Sequence, residues 1–172
     1  GLIDAVEAEA LGPVAHILHI GIGGSALGPE LLIDALGREG GRYDDAIVSN
    51  VDGSALEEAI TSFDPHATII AVASKTFTTT ETLLNATSAL DWMREHGVED
   101  PYGRVIALTA APDKAIEWGV DETRVLPFAE SVGGRYSLWS SIGFPAALAL
   151  GWDAFEALLD GAAEMDRHFR LT

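Results

Sequence analysis

With 172 residues the chain suits a single domain, and folding at that length buries roughly 70% of the surface the unfolded form exposes. The absence of cysteine excludes disulfide scaffolds, thiolate metal sites and cysteine nucleophiles, and no run approaches the ~20 apolar residues of a membrane span. Twenty-seven acidic against ten basic residues give a net charge of −17, a field that repels nucleic acid and acidic membrane surfaces.

The first segment, GLIDAVEAEALG, is acidic and lacks the basic, apolar and cleavage-site order of a secretory signal, so a cytoplasmic location is expected. Short apolar, partly β-branched runs at residues 14–20, 46–50, 68–73, 104–109 and 123–126 read as strands buried on both faces of a parallel sheet. A helix precedes the first strand. Helical patterns over about 29–37, 54–63, 79–96 and 112–118 separate the strands, and two more, near 137–150 and 153–169, follow the last. Ser54 with Glu57, and Thr78 with Glu81, have the spacing of capping boxes. This alternation predicts an α/β fold, a three-layer αβα sandwich around a five-stranded parallel sheet. Ligands of such folds sit beyond the carboxyl ends of the strands, so the loops there are the ones to search.

Three of those loops carry chemistry. The first strand runs into Gly21-Ile22-Gly23-Gly24-Ser25-Ala26-Leu27-Gly28-Pro29. Its glycines let backbone amides approach an anion at a helix N-terminus, and Ser25 adds a hydroxyl. Gly21, Gly23 and Ala26 equally fit the looser dinucleotide fingerprint, with Asp52 as a candidate ribose acid, or a plain turn. The third strand ends in Ser74-Lys75-Thr76-Phe77-Thr78-Thr79-Thr80-Glu81-Thr82, six hydroxyls in nine residues beside one of two lysines. A helix start needs one or two capping hydroxyls and disfavours a cation, so this array suits a phosphate monoester better than a surface turn. The fifth strand leads to Val132-Gly133-Gly134-Arg135-Tyr136-Ser137, where arginine offers a planar, permanently charged fork to oxygen anions or to a structural carboxylate.

The stretches HIGIGGSALGP, ASKTFTTTET and GGRYSLWSSIGFPAAL resemble three signatures of the glucose-6-phosphate isomerase family, in the family's order. The resemblance implies a single sugar isomerase (SIS) domain over residues 1–172, a fragment of a longer enzyme that interconverts glucose 6-phosphate and fructose 6-phosphate without metal or organic cofactor. It also implies a homodimer for the full-length enzyme. Carried over by residue, Ser74, Lys75, Thr76 and Thr79 would form the phosphate pocket, and Gly24 and Ser25 would touch the substrate beside it. Gly134 and Arg135 would border the sugar, with Arg135 stabilising the enediolate. Glu81 matches a glutamate that pairs with the ring-opening histidine. Ala26 and Thr80 depart from the aspartate and glutamine common in the family. The general base, the ring-opening histidine and a lysine would lie outside this chain, leaving it inactive alone.

Other readings stay open at this point. A non-catalytic sugar-phosphate sensor could use the same domain, although no basic DNA-binding segment is visible. A dinucleotide oxidoreductase rests on the glycine fingerprint alone. His16 and His19 stand at odd spacing in a strand, so they face opposite ways and hold no common metal; packing is their expected role. His96 before Gly97 reads as a helix C-terminus. Many acids, two lysines and abundant alanine suggest a salt-rich cytoplasm. Self-repulsion of so acidic a chain is screened as the Debye length falls from ~10 Å at 0.1 M salt to ~3 Å at 1 M. The melting temperature is therefore expected to rise between 0.1 and 1 M KCl; a flat or falling curve by scanning fluorimetry contradicts this.

Overall fold

The computed structural model describes residues 1–37 and 41–171. Its five strands, β1 (His16–Gly21), β2 (Asp44–Val48), β3 (Thr68–Ala73), β4 (Val105–Thr109) and β5 (Val125–Pro127), are all parallel and ordered β2-β1-β3-β4-β5. The helices are α1 (Leu2–Glu7), α2 (Leu27–Leu36), α3 (Gly53–Ile60), α4 (Thr80–Glu95), α5 (Pro112–Trp118), α6 (Phe144–Leu150) and α7 (Trp152–Leu171). This is the expected α/β sandwich. None of the described helices is long and apolar enough to cross a membrane.

Side-chain alternation along the strands explains the layers. Leu18, Ile20, Ile70, Val72, Val105 and Ala107 face α3, α4 and α5, where they meet Leu56, Leu90 and Met93. Ile17, Ile69, Ala71, Ile106 and Leu108 face the other way, toward Val6 of α1 and Phe144 and Leu148 of α6. α2 and α7 pack outside α6 through Ile33, Ala146 and Phe155. β3 and β4, central and apolar but for Thr68 and Thr109 at their ends, are buried at every position.

The departures from the sequence reading have local causes. β2 begins two residues earlier than expected, because the exposed Asp44 and Asp45 pair in register with His16 and Ile17 at the sheet edge. The helix expected over 137–150 is two 3₁₀ turns, Gly134–Trp139 and Ser141–Gly143, followed by α6. Pro145 lacks an amide proton and its ring would strike the carbonyl four residues back, so α-helix starts only at Phe144. Neither expected capping box forms. Asp52 caps α3, its Oδ1 accepting from the Ser54 amide at 3.1 Å and the Ser54 hydroxyl at 2.8 Å, and these bonds hold its carboxyl below the usual range. α4 begins at Thr80 after Thr79, with no side-chain cap, and the Thr78 hydroxyl turns instead to that of Thr76 at 2.8 Å.

His96 closes α4 as expected, its Nδ1 2.8 Å from the Trp92 carbonyl oxygen and followed by Gly97 at φ +85°. His16 stacks on Phe63 with centroids 4.5 Å apart, while His19 points to the opposite face.

Removing the cap that is present should cost more than removing the one expected. Asp52→Ala is expected to lower the melting temperature further than Ser54→Ala, and Glu57→Ala to leave it unchanged. A loss for Glu57→Ala equal to that for Ser54→Ala, with none for Asp52→Ala, would restore the box.

Candidate sugar-phosphate site

The order β2-β1-β3 places the reversal of winding between β1 and β3, where the loops leaving the two strands lie side by side and open a crevice. Gly21 and Ala73, the last residues of these strands, are register partners. The first loop makes a 3₁₀ turn, Gly23–Ser25, and enters α2 through Ala26 without a side-chain cap. α4, entered from the second loop, is likewise uncapped by a side chain. Two helix N-termini thus bring partial positive charge to the crevice.

The second loop is fastened to β4. The Ser74 amide donates to the Leu108 carbonyl (3.1 Å), and the Lys75 carbonyl accepts from the Ala110 amide (3.0 Å) and the Thr109 hydroxyl (3.2 Å). Ser74 is buried, its hydroxyl 3.1 Å from that of Thr79. Between them Phe77 takes φ +49°, a left-handed conformation costly for a bulky side chain. Its ring is sunk in the core, edge-on to Trp118 at 5.8 Å, and holds the exposed Lys75, Thr76 and Thr78 out at the surface.

The third loop closes over the first. A Cβ on Gly24 would stand 2.5 Å from the Gly134 carbonyl oxygen, so the two backbones touch, and Gly134 itself has φ +56°. Only glycine permits both conditions. The Lys75 Nζ lies 3.4 Å from where a Cβ of Gly133 would be, so the ammonium faces the same loop. Gly24, Ser25, Lys75 and Gly134, with Ser137 and Phe128, line a cavity of about 210 Å³. A larger cavity of about 720 Å³ between α1, α6 and α7 is apolar, and its charged side chains are Asp4, Glu7 and Asp153. It suits no anion.

Of the residues expected at the site, Gly24, Ser25, Lys75 and Gly134 therefore meet at one cavity. Ser74, Thr76 and Thr79 stand on the loop behind Lys75. Arg135 and Glu81 are exposed and outside the cavity lining, Arg135 on the residue after Gly134 and Glu81 in the first turn of α4. Asp52, the candidate ribose acid, is occupied in capping α3.

Two supporting residues were given no role at the site by the sequence, which read His19 as packing and Ser137 only as part of the third loop. The Ser137 hydroxyl lies 2.7 Å from both the Gly24 and Gly134 carbonyl oxygens and ties the first loop to the third. His19 is buried beneath the first loop with Nε2 2.6 Å from the Ser25 carbonyl oxygen. Burial lowers its pKa from 6.5 to about 4, against the opposing effect of that hydrogen bond. A histidine inside an apolar strand, two residues before Gly21, was the visible signal for it.

Known proteins bear on this arrangement. The glucose-6-phosphate isomerases of Rhizorhabdus wittichii and Sphingopyxis alaskensis are 75% and 74% identical to the chain, each over 99% of it. The crystal structure of a glucose-6-phosphate isomerase from Chlamydia trachomatis superposes with a TM-score of 0.82 at 28% identity, over 97% of this chain and 32% of that one. The chain spans about a third of the length of the curated relatives it matches. These close relatives are not halophiles, so the salt-rich origin suggested by the acid excess finds no support in them. The sequence model of the family described as Phosphoglucose isomerase matches residues 4–172, and the chain belongs to that family.

Proposed function

We propose that the chain is the sugar-phosphate-binding part of a glucose-6-phosphate isomerase, which interconverts glucose 6-phosphate and fructose 6-phosphate by proton transfer through a cis-enediol. The observation that carries this reading is the cavity at the β1–β3 switch point, lined by Lys75 and the touching Gly24 and Gly134 backbones, beside the loop that carries Ser74, Thr76 and Thr79 into α4. In a chain of net charge −17, a dianionic ester needs such a local cationic anchor.

In this reading Lys75 neutralises the phosphate, and the hydroxyls of Ser74, Thr76 and Thr79 donate to its oxygens together with the first amides of α4. The paired hydroxyls Ser74–Thr79 and Thr76–Thr78 hold one another in place and can rotate their protons toward an arriving anion. Gly24, Ser25 and Gly134 flank the sugar, where the absence of a Cβ lets its chain lie against the backbone. Arg135, exposed and next to Gly134, offsets the oxyanion that develops in the enediolate. Glu81 orients a ring-opening histidine. That histidine and the general base belong to the part of the enzyme's length that this chain does not span, so the chain binds substrate without turning it over. The whole enzyme acts in the cytoplasm as a homodimer, and its chemistry needs neither metal nor organic cofactor.

Calorimetric titration with 6-phosphogluconate, an open-chain sugar-acid phosphate, tests the grip. Removing a charged hydrogen-bond partner costs about 1.5–3 kcal/mol, so Lys75→Ala is expected to weaken binding roughly ten- to hundred-fold. Binding that survives Lys75→Ala unchanged, or is matched by NAD, overturns the reading. Turnover of fructose 6-phosphate by the purified chain, lost on Arg135→Lys, would instead overturn the division of labour.

A further inference from the structure

We propose that His19 is a positioning residue for the substrate-facing turn, holding the Ser25 carbonyl from beneath so that Gly24 and Ser25 keep their place at the cavity. This rests on the reading above, in which those two residues flank the sugar phosphate. A carbonyl oxygen only accepts, so at 2.6 Å the His19 Nε2 must carry the proton. The ring is neutral near pH 7, because burial disfavours its charged form. Its Nδ1 is then a bare acceptor, and it is buried without a hydrogen-bond partner among the described residues. Ile17, on the same face of β1 as His19, and Leu18 and Ile20, on the other, show that the strand fills both cores with aliphatic side chains. Packing alone therefore gives no reason for an imidazole that strands one of its nitrogens.

The turn accounts for it. The Gly24 carbonyl is held by the Ser137 hydroxyl and the next one, of Ser25, by His19, so two buried side chains from different elements fasten adjacent peptide units. Both fastened residues line the cavity. Within itself the 3₁₀ turn is held by two backbone bonds, from the Ser25 amide to the Ile22 carbonyl and from the Ala26 amide to that of Gly23. Without the bond from below, the Ser25 peptide can rotate and carry its hydroxyl away from a ligand. That is a loss of orientation that leaves the sheet intact.

Three measurements on the chain test this. Long-range ¹H–¹⁵N NMR at neutral pH is expected to show the Nε2–H tautomer of His19, and His19→Leu to shift the Ser25 carbonyl ¹³C resonance. His19→Leu, which keeps the packing and removes the donor, is expected to weaken 6-phosphogluconate binding about ten-fold with the melting temperature held or raised. His19→Gln, whose amide reaches a similar point, is expected to restore binding to within about three-fold of wild type. An Nδ1–H tautomer, or wild-type affinity in His19→Leu, overturns the proposal. So does equal weakening in both variants that follows their melting temperatures. If His19→Leu fails to fold, the tautomer and the Gln variant still decide. Should the wild type bind no 6-phosphogluconate, the functional reading falls and its ligand-facing consequence with it, whereas the Ser25 carbonyl shift still reports whether His19 holds the turn.

Discussion

The contact of the Gly24 backbone with that of Gly134 is the constraint on which the site depends. Any side chain at Gly24 would push the loop after β1 away from the loop after β5, and Lys75 would then face a gap instead of a wall. Ser137 shares its one proton between the two carbonyls at that contact, so the junction is held by hydrogen bonding as well as by shape. The sheet makes the meeting possible, since β1 and β3 are adjacent and the 3₁₀ turns after β5 fold back over them.

The loop after β3 is held differently. Its outer face is polar and exposed, while its inner face is fixed by the core through Phe77 and by two bonds to the Lys75 carbonyl, from Thr109 at the end of β4 and from Ala110 after it. A phenylalanine in a left-handed conformation persists only where its surroundings over-determine it. Here burial against Trp118 supplies that, and the strain stays at the turn that displays Lys75 and the threonine hydroxyls.

Much of the fold could be read directly from the sequence because β3 and β4 are apolar runs bounded by a single threonine each and the helices between strands keep their period. β2 was misplaced because an edge strand tolerates Asp44 and Asp45, which break an apolar pattern without breaking the ladder. The stretch before α6 was misread because composition favoured a helix there and a single proline, Pro145, decided against it. The three loops were visible as clusters of glycine, hydroxyl and cation. The fastening roles were not, since a serine bridges two loops only when residues far apart in the chain are brought together, and the histidine's bond depends on the path of the turn above it. Ser137 and Gly24 are 113 positions apart.

The two borders of the sheet are built unlike its middle. β2 presents exposed acids on its outer rim, and β5 is three residues long and stops at Pro127, which has no amide proton to offer. A passing strand from a neighbouring molecule therefore meets carboxylates on one side and a truncated ladder on the other. Although Asp45 is exposed, partial desolvation of its carboxyl and the neighbouring Asp44 raise its pKa, so the β2 border begins to lose charge at a less acidic pH than an ordinary aspartate would allow.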